Sequence, residues 1–121
     1  MKKLILILTL LLLPALASAQ NLKNPSVATF TASADHASIT KYMIGYFLPG
    51  AVDPVTTADL GKPTPDAQNV CQVTLNVMPL SFNANYTAKV KAVAGTAESV
   101  WSEASNPFDR VPGPPSKPVV K

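Results

Sequence analysis

Apolar and polar residues alternate along two segments in the second half of the chain. Across residues 71–77 every odd position is apolar and every even position is polar. Across residues 86–92 the even positions are apolar, while positions 87, 89 and 91 are Thr or Lys. A period of two is typical of a β-strand with one buried face. The pattern therefore predicts strands at residues 70–77 and 86–94.

Shorter apolar segments bounded by turn residues predict the other strands. They lie at residues 27–32, 39–48 and 100–108, with a turn at 95–98. Residues 49–69 contain four prolines and predict a loop that holds one short edge strand at 55–60. No long segment of the chain beyond residue 19 has the 3.6-residue apolar period of a helix. We therefore expect an all-β, antiparallel, immunoglobulin-like β-sandwich of about seven strands.

The first 19 residues have the three parts of a secretory signal peptide. Lys2 and Lys3 precede a ten-residue apolar segment at positions 4–13, and Ala17 and Ala19 form an A-x-A cleavage pattern. The apolar segment is shorter than the roughly 20 residues that span a bilayer. A buried helix or an uncleaved anchor is the alternative. We predict cleavage after Ala19 and export to the periplasm or the cell exterior, with no membrane contact afterwards.

Charge and cysteine content narrow the function classes. The full chain carries a formal charge of +3, and both lysines of the predicted signal peptide contribute to it. A predicted mature chain close to neutral lacks the basic surface that nucleic acid or anionic lipid requires, so we expect no nucleic-acid partner. The single cysteine, Cys71, excludes an internal disulfide and a cysteine-based zinc site. Its position on the apolar face of its strand predicts a buried thiol.

Three local patterns between residues 30 and 108 carry a family resemblance. The first is I-T-K-Y-M-I-G-Y at positions 39–46, and the second is Y-T-A-K-V-K-A-V at 86–93 with Leu80 six residues before it. The third is S-V-W-S-E at positions 99–103. In this order and spacing, the segment resembles a fibronectin type III domain. The resemblance implies a domain at residues 20–110 and leaves residues 111–121 as a proline-rich tail.

The resemblance also implies a set of core residues. Tyr86 would place its ring in the core and its hydroxyl on upstream backbone, and Phe30 stands where the family usually has tryptophan. Trp101 would be partly buried, with a sugar-stacking platform as its alternative. The first strand of the family would be short, near Leu22, or missing. The implied core residues are Phe30, Tyr42, Ile44, Leu75, Leu80, Tyr86, Val90 and Trp101.

Residues capable of catalysis or metal binding are few and scattered. His36 is the only histidine, so no second imidazole completes a metal site, and a polar loop explains it better. No nucleophile motif or phosphate-binding loop occurs. Three aspartates in the proline-rich loop lack the regular spacing of a calcium loop. We predict no catalytic residue, cofactor or metal, and two candidate binding loops, which contain Asp35 and His36 and Thr96 and Glu98.

Three function hypotheses follow. The first is an exported, non-enzymatic module that binds a protein or a polysaccharide or serves as surface structure. The second is a self-assembling subunit in which the tail of one copy adds a strand to the open sheet edge of another. A small secreted hydrolase is the third, and no acid–base or nucleophile constellation supports it. Gene neighbourhood or the identity of a captured partner would separate these hypotheses.

Overall fold

The computed structural model describes residues 21–82 and 84–121. The predicted signal peptide at residues 1–19 lies outside the described residues. In the described part of the chain, one 3-10 turn, His36–Ser38, is the only helical element. The strands are β1 (Leu22–Lys23), β2 (Val27–Thr31), β3 (Lys41–Phe47), β4 (Thr56–Gly61), β5 (Val70–Thr74), β6 (Ala84–Ala94), β7 (Ala97–Glu98) and β8 (Phe108–Arg110).

These strands form two sheets. The large sheet has the order β1-β8-β6-β3-β4, and β7 also pairs with β6. The small sheet consists of β2 and β5 in antiparallel register. The predicted all-β architecture is confirmed, and its layout in two sheets is consistent with a β-sandwich. The expectation that all strands are antiparallel is wrong at one place, because β1 pairs with β8 in parallel.

The core lies between the two sheets. It contains Ile44 and Tyr46 from β3, Val73 from β5, and Tyr86 from β6. The alternation predicted for residues 71–77 is confirmed, since its four apolar side chains are buried and its polar ones are exposed. Burial of such a face is the main driving force for folding, at about 25 cal/mol per Å² of apolar surface.

The second face of β6 is more covered than the alternation predicts. Lys89 and Lys91 are partly buried rather than solvated. The ammonium group of Lys89 lies 4.6 Å from the ring centre of Phe47, and that of Lys91 lies 4.6 Å from the ring of Trp101. Aromatic rings therefore cover the outer face of the large sheet, where we expected water.

The predicted strand at residues 100–108 is wrong. Only Phe108 of that segment belongs to a strand, at the start of β8. Residues 99–107 instead run along β6 with hydrogen bonds that involve serine hydroxyls. Other short strands occur where they are predicted: β4 covers most of 55–60, and β1 lies at Leu22. The predicted turn at 95–98 includes the two-residue strand β7.

A buried arginine links the end of β8 to the turn between β1 and β2. Arg110 is 5% exposed, and its guanidinium donates hydrogen bonds to the Val77 carbonyl at 2.9 Å and to the Val111 carbonyl at 2.7 Å. It also donates to the side-chain oxygen of Asn24, a residue with φ of +46°. Asparagine is one of the few residues that adopts such a conformation readily. This contact fixes the turn between β1 and β2 against the end of β8.

Candidate binding groove

Most of the predicted core residues lie on the inner faces of the sheets. The Tyr86 hydroxyl donates a hydrogen bond to the Ser81 carbonyl at 3.1 Å, which is upstream backbone. Phe30 and Val90 are only partly buried and pack against the core from one side. That side lies between β2 and residues 99–107, and we call it the open flank of the sandwich. The buried members of the predicted set are Tyr42, Ile44, Leu75, Leu80 and Tyr86.

Trp101 is partly buried beside β6, as the resemblance implies, but it lies outside this core, which corrects its place among the expected core residues. Its ring packs edge-on against Phe47 on the opposite face of the large sheet, with ring centres 5.3 Å apart. Gly45 permits this approach, because a Cβ atom there would lie 2.9 Å from the Cη2 atom of Trp101. The T-shaped contact with Phe47 and the ammonium group of Lys91 over the ring leave Trp101 partly buried.

The backbone of β2 faces the open flank with unpaired groups. The Leu75 N–H donates to the Ser26 carbonyl, and the Ala32 N–H donates to the Asn69 carbonyl. In an antiparallel ladder hydrogen-bonded positions alternate, so residues 28 and 30 also point their backbone groups toward β5. The N–H and C=O groups of residues 27, 29 and 31 therefore point away from β5. No strand among the described residues pairs with that edge.

A serine-rich segment at residues 99–107 lies opposite β2, on the other side of the open flank. Ser99, Ser102 and Ser105 each donate a backbone N–H to a carbonyl of β6, and each accepts a β6 N–H on its hydroxyl oxygen. The β6 partners are two residues apart, whereas the serines are three apart. Each Ser-x-x unit thus spans two strand residues, about 6.8 Å. This three-residue period is visible in the sequence, and it explains why the predicted strand does not form.

Between β2 and the serine-rich segment runs a groove of three successive cavities. The first, of about 240 Å³, and the second, of about 230 Å³, share Ser33, Ala92 and Ser99 in their walls. The third, of about 120 Å³, continues between Ala28 and Ala88. Together they follow β6 over about 20 Å, the length of six extended residues. The groove has an apolar floor and, along β2, a wall of unpaired backbone groups.

The two predicted binding loops meet in part at one end of this groove. Asp35 and Glu98 line the first cavity. The imidazole of His36 is directed elsewhere, with Nδ1 2.8 Å from the hydroxyl of Tyr42 and the two rings stacked. Thr96 is exposed at the tip of the turn between β6 and β7. The structure therefore brings together one acidic residue from each loop and uses His36 as a support for Tyr42.

Few charges act in the groove itself. Glu98 forms an ion pair with Lys91. The hydrogen bond from Lys91, followed by its positive charge, holds the pKa of Glu98 below its ordinary value. Among the described residues Asp35 has no ion-pair partner. The two lysines of β6 are therefore both engaged: Lys89 and Lys91 contact aromatic rings, and Lys91 also pairs with a carboxylate.

The described residues hold little catalytic chemistry. Within residues 21–82 and 84–121, no three His, Cys, Asp or Glu side chains come together as metal ligands. Cys71 has 0% exposure, and burial raises the pKa of its thiol. Over the same residues no helix is long and apolar enough to cross a membrane. The groove presents apolar surface and backbone hydrogen-bonding groups, which suit a peptide in extended conformation.

The comparisons with protein families and with curated proteins find no relative of this chain. A scan against protein-family models finds no match for the chain, and a search of curated proteins finds no similar sequence. The functional conclusion therefore depends on the groove and on the sequence patterns.

Proposed function

We propose that the protein is an exported, non-enzymatic binding module that accepts an extended protein segment in its open-flank groove. The segment adds as a strand to β2, with its alternate side chains on the apolar floor. The observation that carries the proposal is the row of outward N–H and C=O groups at residues 27, 29 and 31 beside the groove. Such an edge supplies affinity through main-chain bonds, and the cavities supply specificity.

An immunoglobulin-like topology of fibronectin type III type is part of the proposal. Strands β2 and β5 would correspond to the family's B and E strands, and β4, β3, β6 and β8 to its C′, C, F and G strands. The Tyr86–Ser81 hydrogen bond supports the tyrosine-corner assignment. The pairing of β1 with β8 departs from a first strand that covers β2, and this departure leaves the groove open.

The chemistry of the groove favours a protein over a polysaccharide. Sugar binding commonly uses an exposed aromatic face. Trp101 lines the second cavity, but its ring is partly buried and already contacts Phe47 and Lys91. Phe30 lines the second cavity and packs on Tyr42, with ring centres 4.9 Å apart. Unpaired backbone groups have their natural complement in another polypeptide.

A peptide-display selection on the purified protein tests this proposal. The protein is expressed from the full-length sequence, and its intact mass reports whether cleavage after Ala19 has occurred. Selected peptides should alternate apolar and polar residues. They should lose binding to Thr29→Pro, which removes an outward N–H, and should retain binding to Gln72→Pro. Gln72 is the register partner of Thr29 and faces the opposite edge of the same sheet. Peptides that bind both variants equally would contradict strand addition at β2.

The second candidate function is self-assembly through the tail. The exposed segment at residues 112–121 ends in Val119 and Val120, which are 80% and 94% exposed and could fill a neighbour's groove. Four prolines in the segment cannot donate to a ladder, so it is a poorer added strand than a proline-free peptide. Deletion of residues 112–121 should convert a tail-linked assembly to monomers, and an unchanged size distribution would contradict this candidate.

A further inference from the structure

The exposed edge of β2 has the properties of a self-complementary surface. Its five residues, V-A-T-F-T, include no charge, no proline and no glycine. Natural proteins place such residues on free edges to prevent pairing with another chain. Because β2 lacks such residues, its edge pairs readily with another strand. The proline-rich tail is the weaker candidate for that strand.

We infer that β2 pairs antiparallel with β2 of a second copy around a two-fold axis at Thr29. The inference rests on the proposed function, because it uses the same edge of β2. It states that a second copy occupies this edge when no foreign segment is bound. In this register Val27 faces Thr31 of the second copy, and Thr29 faces its own equivalent. All the outward backbone groups then pair, giving about six hydrogen bonds and a continuous four-stranded sheet.

The side chains of β2 fit this register on both faces. On the outer face, all three residues, Val27, Thr29 and Thr31, are exposed and β-branched, which favours cross-strand packing. On the inner face, Phe30 lies opposite the small Ala28 of the second copy. Both residues are partly buried in the single chain, so pairing covers apolar surface that the sandwich leaves open.

The charges near the two ends of β2 are complementary. The exposed Lys23 precedes the strand and the exposed Asp35 follows it. Antiparallel pairing brings the end that carries Lys23 beside the end that carries Asp35 of the second copy. Neither residue forms an ion pair with another residue in the described ranges 21–82 and 84–121. A contact of this kind sets orientation more than affinity.

The dimer would also regulate the groove. The second copy occupies the edge that a foreign segment needs, so binding of that segment competes with dimerisation. A selected peptide should then lower the average mass of the protein in solution as it binds.

Light scattering on a concentration series of the full-length expression product tests the inference. We expect a concentration-dependent dimer, a dissociation constant raised at least about tenfold in Thr29→Pro because both central hydrogen bonds are lost, and no change in Gln72→Pro. Deletion of residues 112–121 should leave the dimer intact. A wild-type monomer throughout the series would overturn the inference. So would a dimer whose dissociation constant is unchanged in Thr29→Pro, or a dimer that needs the tail.

A cross-linking pair protects the test against misfolding of the proline variants. Residues facing each other at the axis have Cα atoms about 5.5 Å apart, within the range of a disulfide. Thr29→Cys should therefore form covalent dimers on mild oxidation, and Gln72→Cys should not, while the buried Cys71 contributes nothing in either. Cross-linking at Gln72→Cys alone would overturn the inference. A monomer that still binds selected peptides at β2 would refute the dimer and leave the proposed function standing.

Discussion

Two free edges, β4 in the large sheet and β2 in the small sheet, differ in how they are protected. At the edge of the large sheet, β4 includes Asp59, which pairs with Lys41, and a register shift interrupts its pairing with β3. Gly61 ends the strand with φ of +66°. The β2 edge of the small sheet has no charge within the strand and a continuous register with β5.

This difference indicates which edge is used. A charge, a bulge and a sharp end are the usual means by which a sheet avoids pairing with another chain, and β4 has all three. The same chain leaves β2 without any of them, beside an apolar groove. We therefore regard β4 as an edge protected against association and β2 as the edge that associates.

Replacement of Phe30 tests the anchoring of β2 and should have the largest effect. Phe30→Ala removes the ring that packs on Tyr42 and holds the strand to the core. We expect the free energy of unfolding to fall by about 3 kcal/mol, the low end for phenylalanine because the ring is partly buried. Urea denaturation gives the value, and the exposed Thr29→Ala is the control, with a change below about 0.5 kcal/mol. Equal effects of the two variants would show that β2 is not anchored by its inner face.

Amide hydrogen exchange tests the direction of the β2 backbone groups. In dilute protein the N–H groups of residues 28, 30 and 32 should exchange at least about tenfold more slowly than those of 27, 29 and 31, which face solvent. Raising the protein concentration should slow exchange at the odd positions alone, because dimerisation pairs them. Uniform protection along β2 in dilute protein would mean that another strand already covers the edge.

The sequence predicts the strands well where one physical rule acts. Residues 71–77 alternate because one face is buried and the other is wet. Their burial in the structure alternates as predicted, although β5 itself ends at Thr74 and not at residue 77. The rule fails at residues 99–107, where serine hydroxyls replace part of the ladder and impose a period of three. It also fails to place Trp101, because local pattern cannot say which face of the large sheet a tryptophan on the neighbouring segment will cover.

The groove is less accessible to sequence reasoning than the strands. Asp35 and Glu98 are predicted as loop residues, but their meeting at one cavity depends on how β2 and β7 are placed across the flank. The short first strand predicts an open edge, and the direction of the unpaired groups follows only from the β2–β5 hydrogen bonds. Arg110 gives no local signal, since its partners are distant in sequence.

Removal of the charge on β4 should make the two edges more alike. Asp59→Thr leaves the bulge and the glycine in place, so we expect only a modest gain in association, up to about fivefold in the population larger than the dimer. Dynamic light scattering over a concentration series provides the measurement. Asp66→Thr, in the loop before β5, is the control for a change in net charge. If both variants behave alike, the charge at Asp59 does not protect the edge.

Acid pH tests the same protection with the smallest expected effect. The pKa of Asp59 is held below its ordinary value, first by the hydrogen bond from the Gly61 N–H and then by Lys41. A carboxylate with a lowered folded-state pKa stabilises the fold above its unfolded pKa, and this contribution is lost as pH falls through the folded value. Melting temperature should therefore decline slightly at acid pH, and less so in Asp59→Asn.

The acid experiment also separates the two edges. Glu98 has a lowered pKa for a similar reason, through Lys91, so Glu98→Gln is the matched control for a carboxylate that lies away from β4. Protonation of Asp59 leaves β4 without charge, whereas β2 contains no titratable group to change. Association through β4 should therefore appear only at acid pH in the wild type and at all pH values in Asp59→Asn. Backbone pairing between the β2 strands of two copies should be insensitive to pH. If acid dissociates the dimer both in the wild type and in Asp35→Asn, the dimer contact lies elsewhere.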